Sequence, residues 1–508
     1  MIVILFNEPK YEYDLYSLVK AFYPDEEIQM YYTCSEEELA GRNVSCTHHE
    51  LGSDSEEKLQ QASLVLHVDY RENGASIGWK EETMEVDLTG LEGSEAKSAI
   101  KRALYRALVR ETGEELPWGT LTGIRPTKIP MKKIEEGADD EEAARYMQET
   151  YLASDRKTKL AIEIAHRELD LLRTIDYERG YSLYIGIPFC PSTCLYCSFT
   201  SYPLSAWRSR VDDYLDALMK EIDYTAEACK GRKLNSVYIG GGTPTTLEPD
   251  QLERLITKVQ SSFDMQYCVE FTVEAGRPDS ITREKLAVLK RLGIDRISVN
   301  PQTMKQETLN IIGRHHTVEQ TIESFHLARE VGIRNINMDL ILGLPNETIE
   351  DVRHTMEVMK ELGPDNITIH SLAVKRAARL NIYKDYYKDM SMVNTAEHMD
   401  LCEAYCREMG LSPYYLYRQK GMKGNMENVG YAKSGAAGVY NILIMEEKQT
   451  IMALGAGATT KLVLAEPNPQ SNRQIERVEN VKEVGAYISR IDEMIERKVR
   501  KTEELQWH

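Results

Sequence analysis

Between residues 182 and 375 the chain alternates short β-rich runs with amphipathic stretches of helical period, and this alternation restricts the fold more than any other feature. The β-rich runs fall at 182–188, 236–240, 269–274, 296–300, 336–342 and 367–374. Helical stretches at 211–228, 251–261, 282–292, 318–331 and 349–362 lie between them. Parallel strands need a crossover of a dozen or more residues, so each run with its helix reads as one βα unit with a right-handed connection. Six such runs are present, two short of a closed eight-stranded barrel. The expected class is α/β, a partial (β/α)6 barrel. Ligands in such sheets bind at the carboxyl ends of the strands, so chemistry is sought there.

A chain of 508 residues exceeds one ordinary core. We place an N-terminal α+β and helical domain at 1–175, the barrel at 176–380 and a mixed α/β C-terminal cover at 381–508. Strands are expected at 1–6, 27–32 and 63–69, and helices near 13–21 and 95–111. A helix over 156–172 leads into the barrel, and another follows it over 395–409. Segments 438–446 and 449–454 read as a hairpin around Glu447-Lys448, and the last thirty residues as a solvated covering helix. The formal charge of −19 argues against nucleic acid as the partner. The apolar opening Met1–Phe6 is too short for a signal peptide or a membrane span. With nine cysteines and no secretory signal, a reducing, cytoplasmic location is expected.

Directly after the first barrel run stand Cys190, Cys194 and Cys197, in the order C-x3-C-x2-C with Tyr196 before the last. Thiolates are the soft ligands of iron–sulfur clusters. A [4Fe–4S] cube has four irons, so three close cysteines leave one open to a small molecule. A structural zinc site would show paired C-x2-C units and a fourth ligand, which are not evident nearby. The spacing resembles the signature of the radical S-adenosylmethionine (SAM) enzymes. Cys402 and Cys406, one helical turn apart, read as buried apolar residues. His315 and His316 are adjacent on a loop, and their side chains point apart, which disfavours a shared metal.

At the end of the second run lies Gly240-Gly241-Gly242-Thr243-Pro244-Thr245, glycines that let backbone approach a ligand closely. Further strand-end polar residues are Glu274, Gln302 and Asp339, with Arg314 in a following loop. A carboxylate could accept from ribose hydroxyls or an amino group, and an arginine could hold a carboxylate in two places. Just past the sixth run, Lys375, Arg376 and Arg379 place cations near the expected cavity mouth. They read as a clamp for an acidic substrate, as a solvated basic turn, or as a dock for an acidic electron donor.

The combination Y-x-x-I-P-F-C-x3-C-x-Y-C, G-G-G-T-P-T, P-Q-T, G-R and D-L-I-L-G-L-P over about residues 180–375 resembles the oxygen-independent coproporphyrinogen III oxidase family. The length and the extra N-terminal domain are similar to its longer, coproporphyrinogen dehydrogenase-like variant. The resemblance implies a radical SAM barrel, a [4Fe–4S] cluster on Cys190, Cys194 and Cys197, and one or two SAM molecules. It implies that Tyr184, Gly241, Gly242, Thr243, Glu274, Gln302, Arg314, Asp339 and Ala373 line the SAM sites and that Tyr196 packs by the adenine. It further implies a tetrapyrrole substrate, a low-potential donor of the flavodoxin or ferredoxin type, and oxidative decarboxylation of coproporphyrinogen III to protoporphyrinogen IX. Two departures stand out. Gly186 occupies the position where well-known oxidases carry a histidine, and the stretch at Tyr440-Asn441 lacks the histidine and the Tyr-Trp of the haem chaperones. Tetrapyrrole delivery and radical SAM methylation are the alternative activities on this fold.

Overall fold

The computed structural model describes residues 1–33, 58–123, 125–294, 296–375, 377–419, 426–505 and 507. Cys34, Cys46 and Arg376 lie outside the described residues. The chain forms two compact units, Met1–Ala165 with Arg418–Met426, and His166–Tyr417 with Glu427–His508.

The first unit is built on a five-stranded sheet. Ile2–Phe6 pairs in parallel with Ile28–Tyr32 on one side and Leu64–Arg71 on the other. The strands Gly74–Trp79 and Glu82–Asp87 then extend the sheet by antiparallel hairpins. The helices Glu12–Phe22 and Gly93–Thr112 bury Leu15, Leu18, Ile100 and Leu104 in one core with Ile2, Ile4, Phe6, Val68 and Trp79. The three strands expected here are present; the two hairpin strands were not anticipated.

The second unit carries the barrel. Its six parallel strands are Tyr181–Ile187, Leu234–Gly241, Glu270–Glu274, Arg296–Ser298, Asn335–Leu342 and Asn366–Ser371. They sit at the centre of an eleven-stranded sheet that does not close on itself. The intervening helices start on local side-chain acceptors: Thr282, Thr317 and Thr348 each cap the backbone three residues ahead, the last two as full capping boxes. The helices Val211–Ala228, Val318–Val331 and Ile349–Leu362 match the expected boundaries.

Past the barrel the expectations need correction. Residues 439–446 are a helix, Val439–Glu446, rather than one arm of a hairpin. The run V-Y-N-I-L-I-M-E is apolar on nearly every face and lacks the period-two alternation that a strand beside water requires. The Glu270 carboxylate accepts from the Val439 backbone N–H at 2.5 Å, where a helix N-terminus favours negative charge. Thr450–Leu454, the expected second arm, instead adds to the barrel sheet, pairing in parallel with Tyr181–Ile187 and antiparallel with Thr459–Asn468. At the other edge Asn428–Ala432 pairs antiparallel with Asn366–Ser371. The final helix Ile491–Glu504 is not merely solvated, because Ile491, Met494, Lys498 and Thr502 are buried.

Candidate functional site

Side chains alternate across a strand, so the register states which residues share the concave face. Tyr184 pairs with Tyr238, Gly186 with Gly240, Asp339 with Thr368 and Ile341 with His370. The rings of Tyr184 and Tyr238 stack at 6.4 Å, and Tyr440, delivered by the helix Val439–Glu446, packs 4.6 Å from Tyr238 and 6.3 Å from Tyr184. Tyr238 Oη donates to Glu274 Oε1 at 2.5 Å. Burial, and then the nearby Asp339 charge, push the Glu274 carboxyl up to about 7, although the Tyr238 and Gly241 hydrogen bonds work against them. Asp339 accepts from Asn337 Nδ2 at 2.7 Å and lies 3.7 Å from His370 Nε2. Burial would raise its carboxyl, but His370, Asn337 and Thr368 together hold it below its ordinary value.

The cysteine loop crosses the top of this face. Gly242 and Thr243 donate their backbone N–H groups to Ile187 O at 2.8 Å and Phe189 O at 2.7 Å, so the glycine turn is stitched to the start of the loop. A Cβ at Gly242 would sit 2.6 Å from Phe189 O. The Thr243 hydroxyl donates to Cys190 Sγ at 3.5 Å. The buried Arg277 forms an ion pair with Asp279 at 2.8 Å, donates to Ser192 Oγ at 3.2 Å and points Nη1 at Cys194 Sγ, 3.7 Å away. Burial pushes the Cys190 thiol up to about 11, while Thr243 and Arg277 lower it. Donors and a guanidinium around three thiols, Cys194 buried and Cys190 and Cys197 half-buried, suit thiolate ligands, whose charge they would offset. Among the described residues no three His, Cys, Asp or Glu side chains converge on one ion position. A cluster takes each thiolate on a separate iron, so the thiols need not share a centre.

Beside the loop runs a cleft of about 180 Å³ lined by Tyr184, Gly186, Pro188, Phe199, Gly241 and Gly457, among others. Of the residues expected to hold SAM, Tyr184 and Gly241 face this cleft. Gly241 has φ 108°, which a side chain would strain, and a Cβ there would lie 3.2 Å from the Tyr184 hydroxyl. Glu274 accepts the Tyr238 proton behind Gly241, and Gln302 donates its backbone N–H to Asp339 O at 3.0 Å in the neighbouring strands. Arg314 is buried and donates to Asn300 O and, at 3.2 Å, to Gly276 O; it lies against Tyr196 and Cys194. Ala373 follows the sixth strand, half-buried. Lys375 Nζ stands 5.7 Å over the exposed Phe199 ring, and Arg379 lies 5.9 Å from the Tyr383 ring. Cys402 and Cys406 are buried, and burial pushes the Cys402 thiol up to about 12. His316 is buried, and burial first, then Arg314, press its imidazole down to about 3.

Sequence reasoning missed Tyr238, Tyr440, Arg277, His370 and the Gly455–Ala458 loop as contributors. Tyr238 was legible in principle, since it stands two residues before Gly240, in phase with Tyr184.

Residues 184–359 match the Radical SAM superfamily. The chain is 42% identical over 427 residues to the oxygen-independent coproporphyrinogen-III oxidase-like protein HemZ of Bacillus subtilis, covering 82% of this chain and 84% of that protein. It is 38% identical over 198 residues to the heme chaperone HemW of Bacillus subtilis, covering 38% of this chain and 51% of that protein. It is 33% identical over 196 residues to the oxygen-independent coproporphyrinogen III oxidase of Escherichia coli, covering 39% and 42%. The chain thus matches about half or less of the length of these last two. Among the described residues no helix is long and apolar enough to cross a membrane.

Proposed function

Since the chain belongs to the radical SAM family of oxygen-independent coproporphyrinogen-III oxidase-like proteins, which use a [4Fe–4S] cluster and SAM, we propose that it oxidatively decarboxylates coproporphyrinogen III to protoporphyrinogen IX. The observation that carries this reading is the 42% likeness to the oxidase-like protein, which runs through the N-terminal and C-terminal regions as well as the barrel. Each propionate that becomes a vinyl group loses one hydrogen atom, one electron and CO2. When bound, the cluster and SAM supply the radical that takes the hydrogen atom.

The chain's own residues orient and enclose. Cys190, Cys194 and Cys197 hold the cluster, with Arg277 and Thr243 donating to the sulfurs. Tyr184 and Gly241 border the cleft in which SAM is seated, with Glu274 behind them. The glycines there admit a ligand to the backbone, and the stacked tyrosines keep water from the interior face. Lys375 and Arg379, beside the cluster loop, are the cations we assign to substrate propionates. A low-potential flavodoxin- or ferredoxin-type donor supplies the electron that SAM cleavage consumes, and the electron released with CO2 passes to a separate one-electron acceptor.

The test uses anaerobically reconstituted protein with SAM, a strong reductant and coproporphyrinogen III, read by mass spectrometry. Products short of CO2 and two hydrogens per reacted propionate, with 5′-deoxyadenosine, are expected, and both should vanish in Cys194→Ala. SAM cleavage with unchanged porphyrin would discard the substrate. The likeness to the heme chaperone favours a second reading, tetrapyrrole delivery without turnover. Stoichiometric haem binding with no SAM-dependent product would establish that reading instead.

A further inference from the structure

The cleft beside the cysteine loop has two facing walls, the end of the first barrel strand and the loop Gly455–Ala458. The two touch directly. Gly455 has φ 101°, and a Cβ on it would lie 2.5 Å from Gly186 O. One buried side chain reaches both walls from behind, and a buried cluster beside it holds the loop. Tyr214 Oη donates to Gly186 O at 2.6 Å and accepts from the Ala456 N–H at 3.1 Å, so one hydroxyl ties strand to loop. The Glu221 carboxylate accepts from the Gly455 N–H at 2.8 Å, Tyr487 Oη at 2.5 Å and Asn480 Nδ2 at 2.7 Å. It also pairs with Lys498 Nζ, which donates in addition to Ala453 O at 2.7 Å. Asn480 Nδ2 further donates to Gly455 O at 2.9 Å.

Glu221 and Lys498 are 0% and 1% exposed, so this is a fully desolvated ion pair between the first barrel helix and the last helix of the chain. Such a pair adds little net stability, because the cost of taking two charges out of water nearly cancels their attraction, and an apolar pair of similar volume does as well. What an apolar pair cannot do is hold backbone N–H groups at set positions. Here the carboxylate fixes Gly455 directly, and the ammonium fixes the carboxylate.

We propose that Glu221 and Lys498 are positioning residues that set the width of the cofactor cleft, by pinning the Gly455–Ala458 loop to the first barrel helix, whose Tyr214 ties it to the end of the first barrel strand. The inference rests on the reading that SAM occupies this cleft. It makes the last helix part of the binding apparatus although it contributes no cleft-lining side chain.

The test is the double variant Glu221→Gln/Lys498→Met, which leaves no unpaired buried charge, loaded anaerobically with its cluster. Iron content should match wild type, while the dissociation constant for SAM should rise about tenfold through lost preorganisation. The change that SAM induces in the reduced-cluster electron paramagnetic resonance spectrum should differ in form at saturation. Tyr487→Phe removes one donor from Glu221 and leaves the ion pair intact; it should raise the constant by a smaller factor, and it serves if the double variant does not fold. Folded variants that bind SAM as wild type does, with the same spectral change, overturn the proposal. Gly241→Val fills the cleft from the opposite wall; undiminished SAM binding there would mean that the cofactor lies elsewhere and that the underlying reading has failed.

Discussion

Replacing Gly242 by alanine tests the idea that the glycine turn exists to let the second strand's end lie against the cysteine loop. The added Cβ would meet Phe189 O at 2.6 Å and Ile187 O at 2.9 Å, distances that real Cβ atoms essentially never show, and the Phe189 carbonyl carbon at a tight 3.0 Å. All three neighbours are backbone, so no rotamer change relieves the overlap. Reaching an ordinary carbon–oxygen contact requires the two segments to part by about 0.7 Å. That movement stretches the hydrogen bonds from Gly242 to Ile187 O and from Thr243 to Phe189 O, now 2.8 and 2.7 Å, each contributing about 1 kcal/mol. Overpacking itself costs about 1–3 kcal/mol, so the local loss is about 2–4 kcal/mol. It falls on the residue before Cys190 and on the Thr243 hydroxyl that reaches its sulfur. The assay is iron and labile sulfide per chain after anaerobic reconstitution, followed by the thermal midpoint. We expect a clear fall in cluster retention and a midpoint lower by a few degrees. Gly123→Ala, with nothing within 4 Å of its Cβ, is the control and should behave as wild type. A Gly242→Ala protein with full iron and an unchanged midpoint would refute the reasoning.

Two further outcomes follow from the barrel interior. Glu274 is held up near 7 against an ordinary 4.5, chiefly by burial, so between those values the folded protein keeps a proton that the unfolded chain releases. Stability should therefore fall as pH rises through this window, by at most about 3 kcal/mol and by less to the extent that water reaches this half-buried side chain. Thermal midpoints from pH 5 to 8 should show that slope in wild type and lose it in Glu274→Gln; parallel curves would sink the assignment. Among the described residues the buried Tyr440 hydroxyl has no hydrogen-bond partner, so Tyr440→Phe should be neutral or stabilise by about 1 kcal/mol, and a midpoint lowered by several degrees would contradict it.

The parts of the fold that were legible are those whose signal is local. The strand over 335–342 could be read because it is buried on both faces, and the helix over 349–362 because Thr348 caps it and its apolar residues keep helical spacing. The strand Glu82–Asp87 escaped notice because it is an edge strand, exposed at four of its six positions, and E-T-M-E-V-D resembles a polar loop. The helix Val439–Glu446 was misread because an apolar octet has no period to read, and its direction depends on Glu270, 169 positions away. Tyrosine outnumbers phenylalanine 29 to 7, a bias without a rationale in the sequence alone. Part of its reason is visible in the interior, where Tyr184, Tyr238 and Tyr440 stack as apolar faces while Tyr238 turns its hydroxyl to Glu274.

The candidate site divides in the same way. The three thiols and the glycine turn announce themselves because their spacing is the chemistry. Lys498 does not, since among the charged residues of the last helix nothing local separates it from its solvated neighbours. Its burial is decided by Glu221, 277 positions earlier, and by the loop both hold. Two charges are removed from water at that place for little net stability, so the loop's position is the more economical explanation for the pair. On that argument a chain cut before residue 498 should keep the cysteine loop's ligands and still bind SAM poorly, since it would leave the Glu221 carboxylate buried with no cation and the far wall of the cleft without its anchor.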